Sequence, residues 1–141
     1  MRFLKYLCIL IVYVVSYWIG FQMYKNALWA ISGERLGGDT HATVLWTVFA
    51  YVPTGLIYLF IWYIIRHIVN RPFLRYSLYP ICCSLIFWLP TLFFVGMLGG
   101  GSLFSSEAQL LHIMFASTGI TFGLGFSLVS IVFNKSDRQN N

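Results

Sequence analysis

The sequence predicts an all-α membrane protein: a four-helix antiparallel transmembrane bundle, N-in and C-in, forming a single polytopic domain over residues 1–141. Three observations predict it. Of 141 residues, 59% are apolar and 9% charged, and the mean hydropathy is +0.77; an average globular domain is roughly 25% charged. Four apolar stretches are each long enough to cross a bilayer. Seven of the nine Lys and Arg residues fall on one side of those stretches.

A hydrocarbon core about 30 Å thick takes roughly 20 residues at about 1.5 Å each. The first span runs over about 3–24, the second over 44–65, the third over 76–98 and the fourth over 110–133. With no water in the bilayer core, each must satisfy its backbone internally, so each is expected to be a helix. Span 1 begins with basic residues, but its apolar run exceeds the ~7–15 residues of a signal-peptide core and no A-x-A-like site follows, so it reads as a retained anchor. In the loop after it, Ala27–Ile31 reads as a short interfacial helix. Pro72 ends span 2 near Asn70. The second outer loop opens on Gly99–Gly101, and Ser106 with Gln109 reads as a capping box for span 4. Glu107 then suits the positive end of that helix.

Arg2, Lys5, Arg66, Arg71, Arg75, Lys135 and Arg138 all fall at the end of the spans nearest the termini. The positive-inside rule makes that end cytoplasmic, and the expected location is the plasma membrane, a bacterial inner membrane. These cations are scattered over three segments that face anionic lipid. No nucleic-acid-binding motif accompanies them, so nucleic acid is not an expected partner.

Catalytic signatures are missing from the pattern. There is no phosphate loop, no H-E-x-x-H and no Ser/His/Asp arrangement, and no cofactor or metal is implied. His41 and His112, with Asp39 and Glu107, share one side but lack ligand spacing. Cys8 falls near the cytoplasmic end of span 1, and the adjacent Cys82 and Cys83, which lack C-x-x-C spacing, read as buried small apolar residues. No carboxylate lies deep in a span, which separates the chain from small four-helix multidrug exporters and weakens an ion-coupled reading.

Two patterns remain. Gly119 and Gly123 belong to a small-residue stripe in span 4, and Ser16 and Gly20 form a matching pair in span 1; close packing of these two faces is expected. In addition, Pro53, Thr54, Pro90, Thr91, Ser117 and Thr118 lie at one depth, ~12 Å below the outer surface by helix rise. His112 and Glu107 stand above them. Either these helix breaks line a cavity open to the outside, or the hydroxyls bond their own helices and the prolines only bend them.

The sequence therefore points first to a non-catalytic protein of the interaction, accessory or immunity type. Its partners would be the lipid bilayer and another membrane protein, or itself as a homo-oligomer. Immunity proteins against pore-forming bacteriocins share this size and four-span plan, a likeness of architecture that touches no motif. The alternative is a small transporter, flippase or channel subunit acting as an oligomer.

Overall fold

In a computed structural model, the structure describes residues 2–33, 40–97 and 102–139. Most of these residues are helical, with no strand among them. Five helices follow in order: α1 (Arg2–Ser32), α2 (Thr40–Ile68), α3 (Pro72–Leu85), α4 (Trp88–Met97) and α5 (Ser106–Gln139). Four stretches are long and apolar enough to cross a membrane: Phe3–Ile31, Thr43–Ile68, Pro72–Phe93, which joins α3 to α4, and Ser106–Asn134.

The helix ends follow from local chemistry. Segment Ala27–Ile31 continues α1 instead of forming a separate interfacial helix, because nothing between Lys25 and Ser32 breaks it. The helix stops at Gly33, which takes φ +68° while its amide reaches Trp29 O at 3.0 Å. A left-handed residue at this position favours glycine. Helix α2 ends at Ile68, as Pro72 demands. Arg71 is extended (φ −82°, ψ 122°) and Pro72 opens α3, where its missing N–H costs nothing. The cap of α5 is Ser105, not Ser106: the Ala108 amide donates to Ser105 Oγ at 3.2 Å. Two adjacent serines are chemically equivalent caps, and one residue of register separates them.

The third span is broken, not continuous. Residues Ile86 and Phe87 form a turn between α3 and α4. Pro90 cannot donate to Ile86 O, and that carbonyl instead accepts from the Leu89 amide at 3.0 Å. A second proline works differently. Pro80, inside α3, leaves Tyr76 O without its helical donor, and Ser127 Oγ of α5 donates to it at 3.2 Å.

Helix α5 is the hub, packing most closely on α1 and α3. Gly20 of α1 lies against Met114 O and Thr118 of α5, and Gly125 against Val12. Gly119 and Gly123 face α3 instead of the Ser16–Gly20 face of α1. Gly119 abuts the Cys83 carbonyl and the Ser84 amide, and Gly123 abuts Pro80. The stripe is a close-packing face as expected, but its partner is the other neighbour. Both glycines therefore close on the backbone of α3, Gly119 at Cys83–Ser84 and Gly123 at Pro80.

Gly123→Ala should lower the thermal stability of the detergent-solubilised protein by the ~1–3 kcal/mol typical of overpacking, because the added methyl meets the Pro80 ring and Cα. Gly96→Ala, with nothing within 4 Å of its Cβ, is the control and should leave the melting temperature unchanged.

Candidate functional site

The residues expected in the outer half are placed as follows. Pro53 is exposed on α2, whereas Pro90 is buried. Thr54 is 2% exposed and donates to Tyr51 O; Thr91 is fully buried and donates to Phe87 O at 3.0 Å. Ser117 donates to the Ile113 and Met114 carbonyls, and Thr118, also fully buried, to Met114 O. Each of the four hydroxyls thus donates to a carbonyl three or four residues earlier in the chain. Glu107 is exposed. His112 packs its ring edge-on to Phe87, with centroids 5.0 Å apart, and its Nε2 is buried without a partner. Neither cavity described below is lined by any of these eight residues. Asp39 lies outside the described residues. Among those described, no three His, Cys, Asp or Glu side chains gather at one point.

The centre of the bundle is aromatic. Tyr51, Tyr58, Tyr79, Phe115 and Phe122 are all buried. Tyr13 and Tyr51 stack at 4.3 Å, and each hydroxyl donates to the other's carbonyl, at 2.7 and 3.0 Å. Buried Ser16 lies 2.9 Å from the Tyr51 hydroxyl. One turn toward the loops, Tyr17 and Thr47 share a 2.9 Å hydrogen bond. Tyr79 of α3 donates to Tyr58 O of α2 at 3.0 Å. These reciprocal bonds tie α1 to α2 and α2 to α3. Buried tyrosines satisfied in this way specify register, since a slipped helix would orphan several polar groups at once.

Two cavities lie toward the end of the bundle that carries Lys5 and Asn134. One is an apolar cleft of about 400 Å³ between α1 and α2. Ile9 and Tyr13 form one wall, Val52, Gly55 and Leu59 the other, and Phe122 of α5 the floor. Gly55 holds the Tyr13 ring so closely that a Cβ there would sit 2.9 Å from its hydroxyl. The second is a recess of about 180 Å³ lined by Lys5, Arg66, Arg75, Tyr76, Ser130 and Asn134, over the rings of Trp62 and Phe126. No carboxylate lines it among the described residues. Arg75 is anchored, its Nε and Nη2 donating to Val69 O at 3.2 and 2.9 Å. Asn134 donates to the Tyr76 hydroxyl at 3.0 Å and sits 3.5 Å from Lys5 Nζ.

The sequence reading treated Lys5, Arg66 and Arg75 as separate topology anchors. The available signal was that each stands at the same membrane edge on a different helix. No family model, curated protein or solved structure matches the chain.

Cysteines introduced at Thr54 and Thr91, in a background lacking Cys8, Cys82 and Cys83, should resist a membrane-impermeant maleimide added to sealed cells. Rapid labelling at either would show water reaching the outer-half breaks. Replacing His112 with Leu should be neutral or stabilising in a melting experiment, because it removes a buried nitrogen that has no partner.

Proposed function

We propose that the chain is a non-catalytic membrane interaction protein, of the accessory or immunity type, that recognises another membrane protein through its bilayer-facing perimeter. The observation that carries this reading is the committed interior. The buried hydroxyls Ser16, Tyr51, Thr54, Tyr79, Thr91 and Thr118 are engaged with backbone carbonyls or one another, around a centre filled by aromatic rings. Recognition is then left to the outer surface, where long rows of Leu, Ile, Val, Phe and Trp are exposed.

The antiparallel arrangement is supported by the pairing of Lys5 with Asn134, Val12 with Gly125 and Gly20 with Thr118. The charge bias supports termini on the cytoplasmic side of a bacterial inner membrane. The transporter or flippase alternative has one feature in its favour: an apolar cleft and a basic recess lie together at one membrane edge, which suits a lipid better than a water-soluble substrate.

Photo-crosslinking in the native membrane separates the two readings. With a crosslinking amino acid at Ile11, Phe60 and Ile120, all exposed on different helices and outside both cavities, the interaction reading expects a protein adduct of constant mass from one face only. Lipid adducts from every face, together with substrate-dependent flux in proteoliposomes, would overturn it. Reporter fusions after Arg71 should signal cytoplasm, and a fusion after Gly37 the outside.

A further inference from the structure

We propose that the basic recess and the apolar cleft are two halves of one site for an anionic phospholipid. The phosphate sits among Lys5, Arg66 and Arg75, and one acyl chain lies along the groove between α1 and α2. The site goes beyond the interaction reading and does not depend on it.

The recess has the chemistry of an anion site. Three cations from three helices converge on one small volume, with no carboxylate among the described residues that line it. Arg75 is held in place by the Val69 carbonyl, so its guanidinium loses little freedom on binding. Arg66 makes no hydrogen bond to a described residue. The Tyr76 hydroxyl accepts from Asn134, which leaves its own proton to donate. Ser130 is 2% exposed, lines the recess, and makes no hydrogen bond with a described residue. With no helical carbonyl engaging it, the Ser130 hydroxyl is free to donate into the recess. Phosphate oxygens accept from every one of these donors. Basic pockets between helices at the membrane edge have the makeup of headgroup sites.

The cleft supplies the other half. Leu59 and Phe122 of the cleft lie about one helical turn from Trp62 and Phe126 of the recess, and Tyr6 follows Lys5 directly. The two volumes are thus neighbours along α1, α2 and α5. From Trp62 to Val52 is about 15 Å by helix rise. That is half of a hydrocarbon core about 30 Å thick, the depth of one acyl chain in one leaflet. A polar head at the edge and an apolar groove one leaflet deep together describe an amphiphile, whereas a soluble phosphate compound would use the recess alone.

The test uses the full chain purified in a neutral detergent, with dioleoyl phosphatidylglycerol, dioleoyl phosphatidylcholine and inorganic phosphate as separate probes. Native mass spectrometry should retain one phosphatidylglycerol and no phosphatidylcholine, and phosphatidylglycerol alone should raise the melting temperature. Arg66→Gln should weaken phosphatidylglycerol binding about tenfold, the size of one lost charge-assisted contact. Arg71→Gln, which removes the same charge outside the recess, should change it less than twofold. Leu56→Trp, which fills the cleft, should weaken it without touching the recess. Equal losses for Arg66→Gln and Arg71→Gln would mean diffuse surface attraction and overturn the site. Stabilisation by inorganic phosphate equal to that by the lipid would overturn the lipid in favour of a soluble phosphate compound. The wild-type comparison of the three probes decides the matter even if a variant fails to fold. Failure of the crosslinking experiment above leaves this result unaffected.

Discussion

Lipid tails are as apolar as leucine, so helices in a bilayer gain little from hiding apolar surface against one another. They associate through dispersion contacts, which need close approach, and through hydrogen bonds. Helix α5 meets the first requirement on two sides at once. Its Gly119 and Gly123 admit the backbone of α3, while Met114 and Thr118 receive Gly20 of α1 and Gly125 receives Val12. The rest of the molecule is placed by these two contacts. The break at Ile86–Phe87 ends the tight stretch of the third span against α5, and Pro80 within that stretch frees a carbonyl to which Ser127 of α5 donates.

Helix α2 is held by different means. It approaches α1 and α3 through side chains, and its attachments are tyrosine hydroxyls on backbone carbonyls: Tyr13 with Tyr51, Tyr79 with Tyr58. A phenol is long enough to cross the gap that glycine contacts would close. It also brings its own donor into a medium where an unbonded carbonyl or hydroxyl is costly. The bundle therefore has a tightly packed side, built on small residues, and a looser side, built on rings. The same division explains why the central tyrosines are buried yet polar.

Much of this was legible from composition and local chemistry. Span number and approximate limits follow from apolar length, and the stop before Pro72 follows from a missing N–H and a steric clash. These features are decided within a few residues of where they are read. Other features were not local. The Gly119–Gly123 stripe marks a close-packing face but carries no label for its neighbour; the partner is α3, whose backbone at Pro80, Cys83 and Ser84 lies against it. Ser105 and Ser106 offer the same oxygen one register apart, and the helix start selects between them. Toward the loop end of the bundle, depth alone brought Pro53 and Pro90 to one level, yet one is exposed and the other buried, because depth fixes height along a helix and not the face. The grouping of Lys5, Arg66 and Arg75 was invisible for a related reason. They are separated by up to 70 positions in sequence, and only the folded arrangement sets them round one recess.

The cleft between α1 and α2 follows from the tight contacts elsewhere. Drawn onto α5 by Gly20 and Gly125, α1 cannot also lie backbone to backbone with α2, which is tied to α3 and touches α4 through Phe49 and Phe93. Toward the loops, Tyr17 and Thr47 span the gap, and Tyr13 and Tyr51 fill it in the middle. Below them α2 offers Gly55, which has no side chain, and α1 offers Ile9 and Leu10, which are too short to cross. The floor is then Phe122 of α5. A wider residue at position 55 would close the groove but collide with the Tyr13 ring that bonds α2. The glycine that seats the tyrosine bridge is therefore also the residue that leaves the groove beneath it open, so the lateral cleft is a consequence of how α2 is fastened.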